Sequence, residues 1–128
     1  MLSADVNAGY DPLYAEVFEK NNSAYVGKGA AISKYTGARG KSGSNDANAE
    51  YLGILRKAFD DAKVEYQTAE LGRIDAGGGG TIAYIPAAYG MDVIDIGVPI
   101  LNMHAPYEVS SKADVYETTK CYKAFYEM

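Results

Sequence analysis

The chain has 128 residues, 48% hydrophobic and 23% charged, with a net charge of −5. That length suits one compact domain or a piece of a larger one, burying roughly two thirds of its unfolded surface, and the composition is that of an ordered globular chain. The acidic balance argues against a nucleic-acid partner, which needs clustered Lys and Arg, and no apolar run approaches the roughly 20 residues that cross a bilayer.

In chain order, the first seven residues read as a short strand, and a helical turn fits Leu13–Glu19. Ala30–Tyr35 reads as a strand. Residues 36–44 form a loop of Gly and small hydroxyl residues that carries Arg39 and Lys41. A helix is predicted to start near Asn45 or Asp46, either of which can cap it. Leu52, Leu55, Phe59 and Ala62 form its apolar stripe. Val64–Leu71 is the next strand. Four glycines, Gly77 to Gly80, precede a predicted helix over Ile82–Tyr89, weakened by Pro86 and stopped by Gly90. Met91–Gly97 is a strongly apolar strand with acids at Asp92 and Asp95. In the last helix Ser111 and Asp114 have capping-box spacing, and Val115, Thr119, Tyr122 and Phe125 share one face. Strands alternating with helices predict an α/β fold with a mostly parallel sheet.

A few residues have chemistry to offer. His104 is the only histidine and follows the Met91–Gly97 strand by a few residues, where open α/β sheets contact ligands. An imidazole there is a zinc ligand or a loop histidine with satisfied hydrogen bonds, and the bare pattern is commoner for the latter. Asp5 ends an apolar stretch, where a carboxylate holds a metal or caps a loop. The segment Asp75-Ala76-Gly77-Gly78-Gly79-Gly80-Thr81 is either a tight turn into a helix or a cradle for an anionic group. It lacks the Gly-Lys-Ser/Thr ending of a phosphate-binding loop. Cys121 is the only cysteine, which points to a reducing, cytoplasmic setting. No signal-peptide pattern opens the sequence.

Together these segments resemble the aspartyl aminopeptidase/aminopeptidase I family of zinc metallo-aminopeptidases, in its bacterial branch. Three landmarks carry the resemblance. Ser3-Ala4-Asp5 is similar to the family's segment ending in an acidic metal ligand. Asp75 with Gly77–Thr81-Ile82 resembles its Gly-Gly-Thr-Ile turn. Asp95-Ile96-Gly97 followed by Met103-His104 resembles its final histidine motif. Ile32-Ser33-Lys34-Tyr35-Thr36-Gly37 and Lys41-Ser42-Gly43-Ser44 resemble the bacterial members.

The resemblance implies a layered α/β/α catalytic domain of a di-zinc exopeptidase, with residues 1–128 as its C-terminal portion and an inserted dimerisation domain lying outside it. It implies removal of N-terminal residues from peptides, two zinc ions per complete site, and a homo-oligomeric, cytoplasmic enzyme. By position, Asp5 is implied to be a terminal ligand of one zinc and His104 of the other. Gly78, Gly79, Gly80 and Thr81 are implied to line the substrate site. The family's His-x-Asp segment, bridging aspartate and Glu-Glu pair, with its general-base glutamate, have no counterpart here and are expected upstream. Ala8 stands where some members, mainly of the eukaryotic aspartyl type, carry a histidine near the substrate. This chain alone is therefore expected to be inactive, its partners being a peptide substrate and further copies of the chain or the N-terminal part of the same protein. Two other readings stand beside this one: an anion- or nucleotide-binding α/β module, and a non-catalytic assembly remnant.

Overall fold

A computed structural model of the chain describes residues 1–37, 45–73, 76, 78 and 80–128. The Arg39/Lys41 loop and three members of the Gly-rich segment, Asp75, Gly77 and Gly79, lie outside the described residues.

Among the described residues there are seven short strands: β1 (Leu2–Ala4), β2 (Asn7–Ala8), β3 (Ala30–Ser33), β4 (Tyr66–Thr68), β5 (Ile94–Gly97), β6 (Pro99–Leu101) and β7 (Val109–Ser110). The helices are α1 (Ala49–Asp61), the single turn α2 (Tyr84–Ala87) and α3 (Lys112–Tyr126), with 3-10 turns at Pro12–Val17 and Lys20–Asn22. The larger sheet has the order β1-β5-β3-β4 and the smaller β2-β6-β7. The pairs β1–β5, β3–β4 and β2–β6 are parallel, while β3–β5 and β6–β7 are antiparallel. This is the α/β class with a mostly parallel sheet that the alternation predicts.

Side chains alternate across a strand, and here the two faces have different chemistry. Ala30, Ile32, Ile94 and Ile96 point to one side. They pack with Leu55 and Phe59 of α1 and with Cys121 and Ala124 of α3 to form the main apolar core. Burial pushes the Cys121 thiol up to about 12, with Glu117 adding to the shift. On the other side Ala31 packs with Ala24 and Ala69. Beside them Ser3, Ser33 and Asp95 are buried polar groups.

Three local expectations shift. The first helix starts at Ala49, capped by Asn48, whose side chain accepts from Tyr51 N at 2.7 Å. Asn45 is engaged elsewhere: its Nδ2 donates to Val93 O at 2.6 Å, and its carbonyl accepts from Thr36 N at 3.1 Å. Asp46 pairs with Lys34. At the other end of α1, Lys63 turns left-handed (φ 54°), and a Schellman pair closes the helix. Val64 N donates to Phe59 O at 2.9 Å and Lys63 N to Asp60 O at 3.1 Å. Val64 thereby enters the core and Ala62 is left exposed.

In α3 the buried face is Asp114, Thr118, Cys121 and Ala124. Tyr122 and Phe125 lie on its margin, and Val115 and Thr119 face outward. The stripe is displaced because a carboxylate is the innermost group of the first turn. Ser111 caps α3 by accepting from Ala113 N at 3.2 Å. Asp114, however, does not turn back to complete a capping box. It is fully buried and accepts from Gly27 N at 2.6 Å and Gly29 N at 2.8 Å. Gly29 has φ +85°, and a Cβ there would overlap the Glu65 backbone, so only glycine fits.

Asp114→Ala would orphan two amides, one of them buried, that now bond to a carboxylate. Urea unfolding should show a loss of roughly 3 kcal/mol; a change within about 0.5 kcal/mol would mean that the clasp contributes nothing.

Candidate functional site

The site forms where two neighbouring segments pass together from one sheet to the other. Leu2 pairs with Ile94, Ser3 with Asp95 and Ala4 with Ile96 in the larger sheet. Asn7 pairs with Pro99 and Ala8 with Ile100 in the smaller one, at the same register. Asp5 and Val6 occupy the crossing, opposite Gly97 and Val98. Beyond it Asn7 N donates to Val98 O at 3.0 Å and Gly9 N to Ile100 O at 2.7 Å, which holds the two segments parallel.

Gly97 is required by this packing. A Cβ on it would stand inside the van der Waals radius of the Asp5 carbonyl oxygen. Close approach of the two backbones thus places Asp5 at the carboxyl end of β1. Its Oδ1 accepts from Val6 N at 2.9 Å. After β6 the chain turns through Asn102 (φ 59°) and His104 (φ 69°). That turn is held by Ala105 N donating to Asn102 O at 2.9 Å and His104 N donating to Glu108 Oε1 at 2.7 Å. Left-handed backbone is uncommon outside glycine, and at His104 it is secured by a charged acceptor. The imidazole makes no hydrogen bond among the described residues.

Asp5 and His104 line one cavity of about 430 Å³, together with Gly78, Gly80 and Thr81. The described members of the predicted site therefore converge; Gly79 lies outside the described residues. The rest of the wall is mainly apolar and includes Val6, Val17, Phe18, Leu71 and Met103. Met103 belongs to the histidine motif; Val6, Val17, Phe18 and Leu71 were not expected at the site, because apolar residues carry no signal of which cavity they face. Ala8 also borders the cavity.

A carboxylate and an imidazole are suitable zinc donors, so the two side chains fit that metal in kind. They do not make a complete site: among the described residues no group of three or more His, Cys, Asp or Glu is arranged around a common point. The anion-cradle alternative fares worse. Regular helix after the Gly-rich segment is limited to the four residues of α2, without a side-chain N-cap; Pro86 sits in its first turn, where a missing N–H costs no helical bond. Such a turn has little macrodipole to offer an anion. Among the described residues no helix is long and apolar enough to cross a membrane.

Asp95 is the residue that sequence reading undervalued. It is 3% exposed in the middle of the larger sheet, on the face opposite the helices. Thr81 Oγ1 donates to its Oδ2 at 3.1 Å. Burial pushes its carboxyl above the ordinary range, against the pull of the nearby Ser3, Thr81 and Thr36 hydroxyls, and the charge of Asp5 adds to the rise. Among the described residues the Ser3 hydroxyl does not reach hydrogen-bond geometry with any group. An acid inside an otherwise apolar strand was the available clue, since a buried carboxylate needs partners.

A carboxyl with a raised folded pKa holds its proton more tightly folded than unfolded. Its contribution to stability is complete below 3.8, the unfolded value, and fades as pH rises through the folded one. Asp95→Asn cannot titrate. The stability of the parent relative to this variant should therefore fall as pH rises above 3.8 in urea unfolding; a constant difference would contradict the raised pKa.

Comparisons with known proteins bear on this arrangement. The sequence profile described as aminopeptidase I zinc metalloprotease (M18) matches residues 1–126. A probable M18 family aminopeptidase 1 of Clostridium acetobutylicum is 64% identical over 125 residues, which are 98% of this chain and 27% of that protein. Its counterpart in Thermotoga maritima is 47% identical over 127 residues, 99% of this chain and 28% of the relative. The crystal structure of aminopeptidase I from Clostridium acetobutylicum superposes with a TM-score of 0.93 at 64% identity, covering 98% of this chain and 27% of that one. A dodecameric mApe1 from S. cerevisiae, 23% identical, covers 98% of this chain and 26% of its own; its TM-score of 0.76 speaks for the fold alone. This chain spans about a quarter of the length of such relatives.

Proposed function

Because the chain belongs to the aminopeptidase I zinc metalloprotease (M18) family, we propose that it is the C-terminal portion of the catalytic domain of a di-zinc aminopeptidase that removes N-terminal residues from peptides. The observation that carries this reading is the convergence of Asp5 and His104 on one cavity, from the ends of neighbouring parallel segments.

In this reading Asp5 and His104 each hold one of two zinc ions as a terminal ligand. Zinc, when bound, supplies a Lewis acid that polarises the scissile carbonyl and makes water a better nucleophile. This chain's own residues do the placing. The Gly97 contact fixes the Asp5 backbone, and the Asn102–His104 turn brings His104 to the same cavity. The segment Gly78, Gly79, Gly80 and Thr81 borders the substrate. The apolar wall of Val6, Val17, Phe18, Leu71 and Met103 suits an uncharged N-terminal side chain. Ala8 brings no imidazole to that wall. The remaining metal ligands and the general-base glutamate belong to the rest of the protein, and the whole enzyme is a cytoplasmic homo-oligomer.

Two donors cannot retain zinc tightly, since a stable site takes roughly three or four protein ligands. The isolated chain should lose zinc on dialysis and release no amino acid from leucyl peptides. The complete protein should release it, and His104→Ala or Asp5→Ala should lower that rate by about 100-fold or more. One tightly held zinc per isolated chain, by elemental analysis after dialysis, would overturn this division of the site. Full peptidase activity in both complete-protein variants would overturn the ligand roles.

A further inference from the structure

We infer that Asp95 is a positioning residue: through the Thr81 hydroxyl it anchors the Gly80–Thr81 segment to the sheet beneath the cavity. The anchor itself is a statement about the fold, while its kinetic consequence rests on the aminopeptidase reading.

The argument starts from the central strand. β5 lies between β1 and β3. Its isoleucines, Ile94 and Ile96, enter the helix-side core, so the residue between them faces the other way. An apolar side chain would suit so buried a place, and a carboxylate is costly there unless it is hydrogen-bonded. Asp95 has one such bond, from Thr81 to its Oδ2 at 3.1 Å, while its buried Oδ1 has no partner among the described residues. Thr81 in turn accepts from Ala83 N at 3.3 Å, and Ala83 is fully buried. The hydroxyl thus bridges two fixed points, the strand and the start of the turn at α2. Its proton is committed to Asp95, so Thr81 borders the cavity without offering that proton to a ligand.

The segment needs such an anchor. Gly78 and Gly80 border the cavity just before Thr81, and glycine gives a backbone little rigidity of its own. α2 is only four residues long and its N-cap has no side-chain bond. The Asp95–Thr81–Ala83 chain is therefore a polar tie that joins this wall to β5, the strand next to β1, which leads into Asp5. A slip of about 1 Å in a substrate-bordering segment can cost about 100-fold in rate.

The test uses four single variants and one double variant of the complete protein, with hydrogen exchange measured on the 128-residue chain. Asp95→Ala and Thr81→Val should each lower kcat by roughly 10- to 100-fold with a smaller change in KM. The double variant should be little worse than the poorer single, as expected for two ends of one bond. Asp95→Asn keeps an acceptor and Thr81→Ser keeps the hydroxyl, and each should recover most of the loss. The Ala83 amide should exchange faster in both Asp95→Ala and Thr81→Val. Multiplicative losses in the double variant would overturn the inference. So would a lowered melting temperature with kcat per folded enzyme unchanged. If Asp95→Ala does not fold, Thr81→Val, a near-isosteric change at a half-buried residue, decides the matter alone. If the parent enzyme is inert on peptides, the aminopeptidase reading fails and exchange at Ala83 judges the anchor: faster in the variants supports it, unchanged overturns it.

Discussion

The contact on which the site depends is the close approach of the Asp5 carbonyl to Gly97. Two segments far apart in sequence run side by side in one register across two sheets, and they cross between the sheets at the same level. Any side chain at position 97 would force them apart there. With the backbones in contact, the end of β1 and the turn after β6 face a common space, and Asp5 and His104 follow. Neither residue needs a long-range side-chain bond to reach it; the strand register delivers both.

The two faces of the larger sheet divide the work of the molecule. On one, Phe59, Leu55, Ile32, Ile94 and Ile96 are essentially inaccessible, each contributing on the order of 2 kcal/mol by burial. That face sets stability. On the other, Ser3, Ser33 and Asp95 lie in adjacent strands, and Asn7 donates to Ser33 across the sheet boundary. Polar groups stabilise a core less than methyl groups of the same volume, so this face gives up packing energy for fixed directions. Thr81, bonded to Asp95 on this face, borders the cavity.

Much of this was legible in the sequence, for reasons that differ from element to element. The Leu55–Phe59 stripe and the alternation of strands and helices depend on short-range periodicity, and they fall where the pattern puts them. Gly90 stops the turn after α2 with φ +77°, as a glycine after a helical run should. The displaced face of α3 was not legible, because its innermost side chain is an aspartate whose partners are amides of the Gly27–Gly29 turn, far away in sequence. Asn45 looked like a cap and serves instead as a tie to Val93. Asp5 and His104 entered by resemblance to a family, since a lone acid and a lone histidine have no pattern of their own. Gly97 and Asp95 were visible as part of a motif, but their work, a backbone contact and an anchor, exists only once the strands pair.

The account holds that Asp5 and His104 are ligands in one metal centre completed by the rest of the aminopeptidase. Anomalous X-ray diffraction at the zinc edge, from crystals of the complete protein grown with zinc, examines this most directly. It should give peaks at about 2.0–2.2 Å from an Asp5 carboxylate oxygen and from a His104 ring nitrogen. Zinc peaks within the cavity that leave either side chain uncoordinated would contradict it.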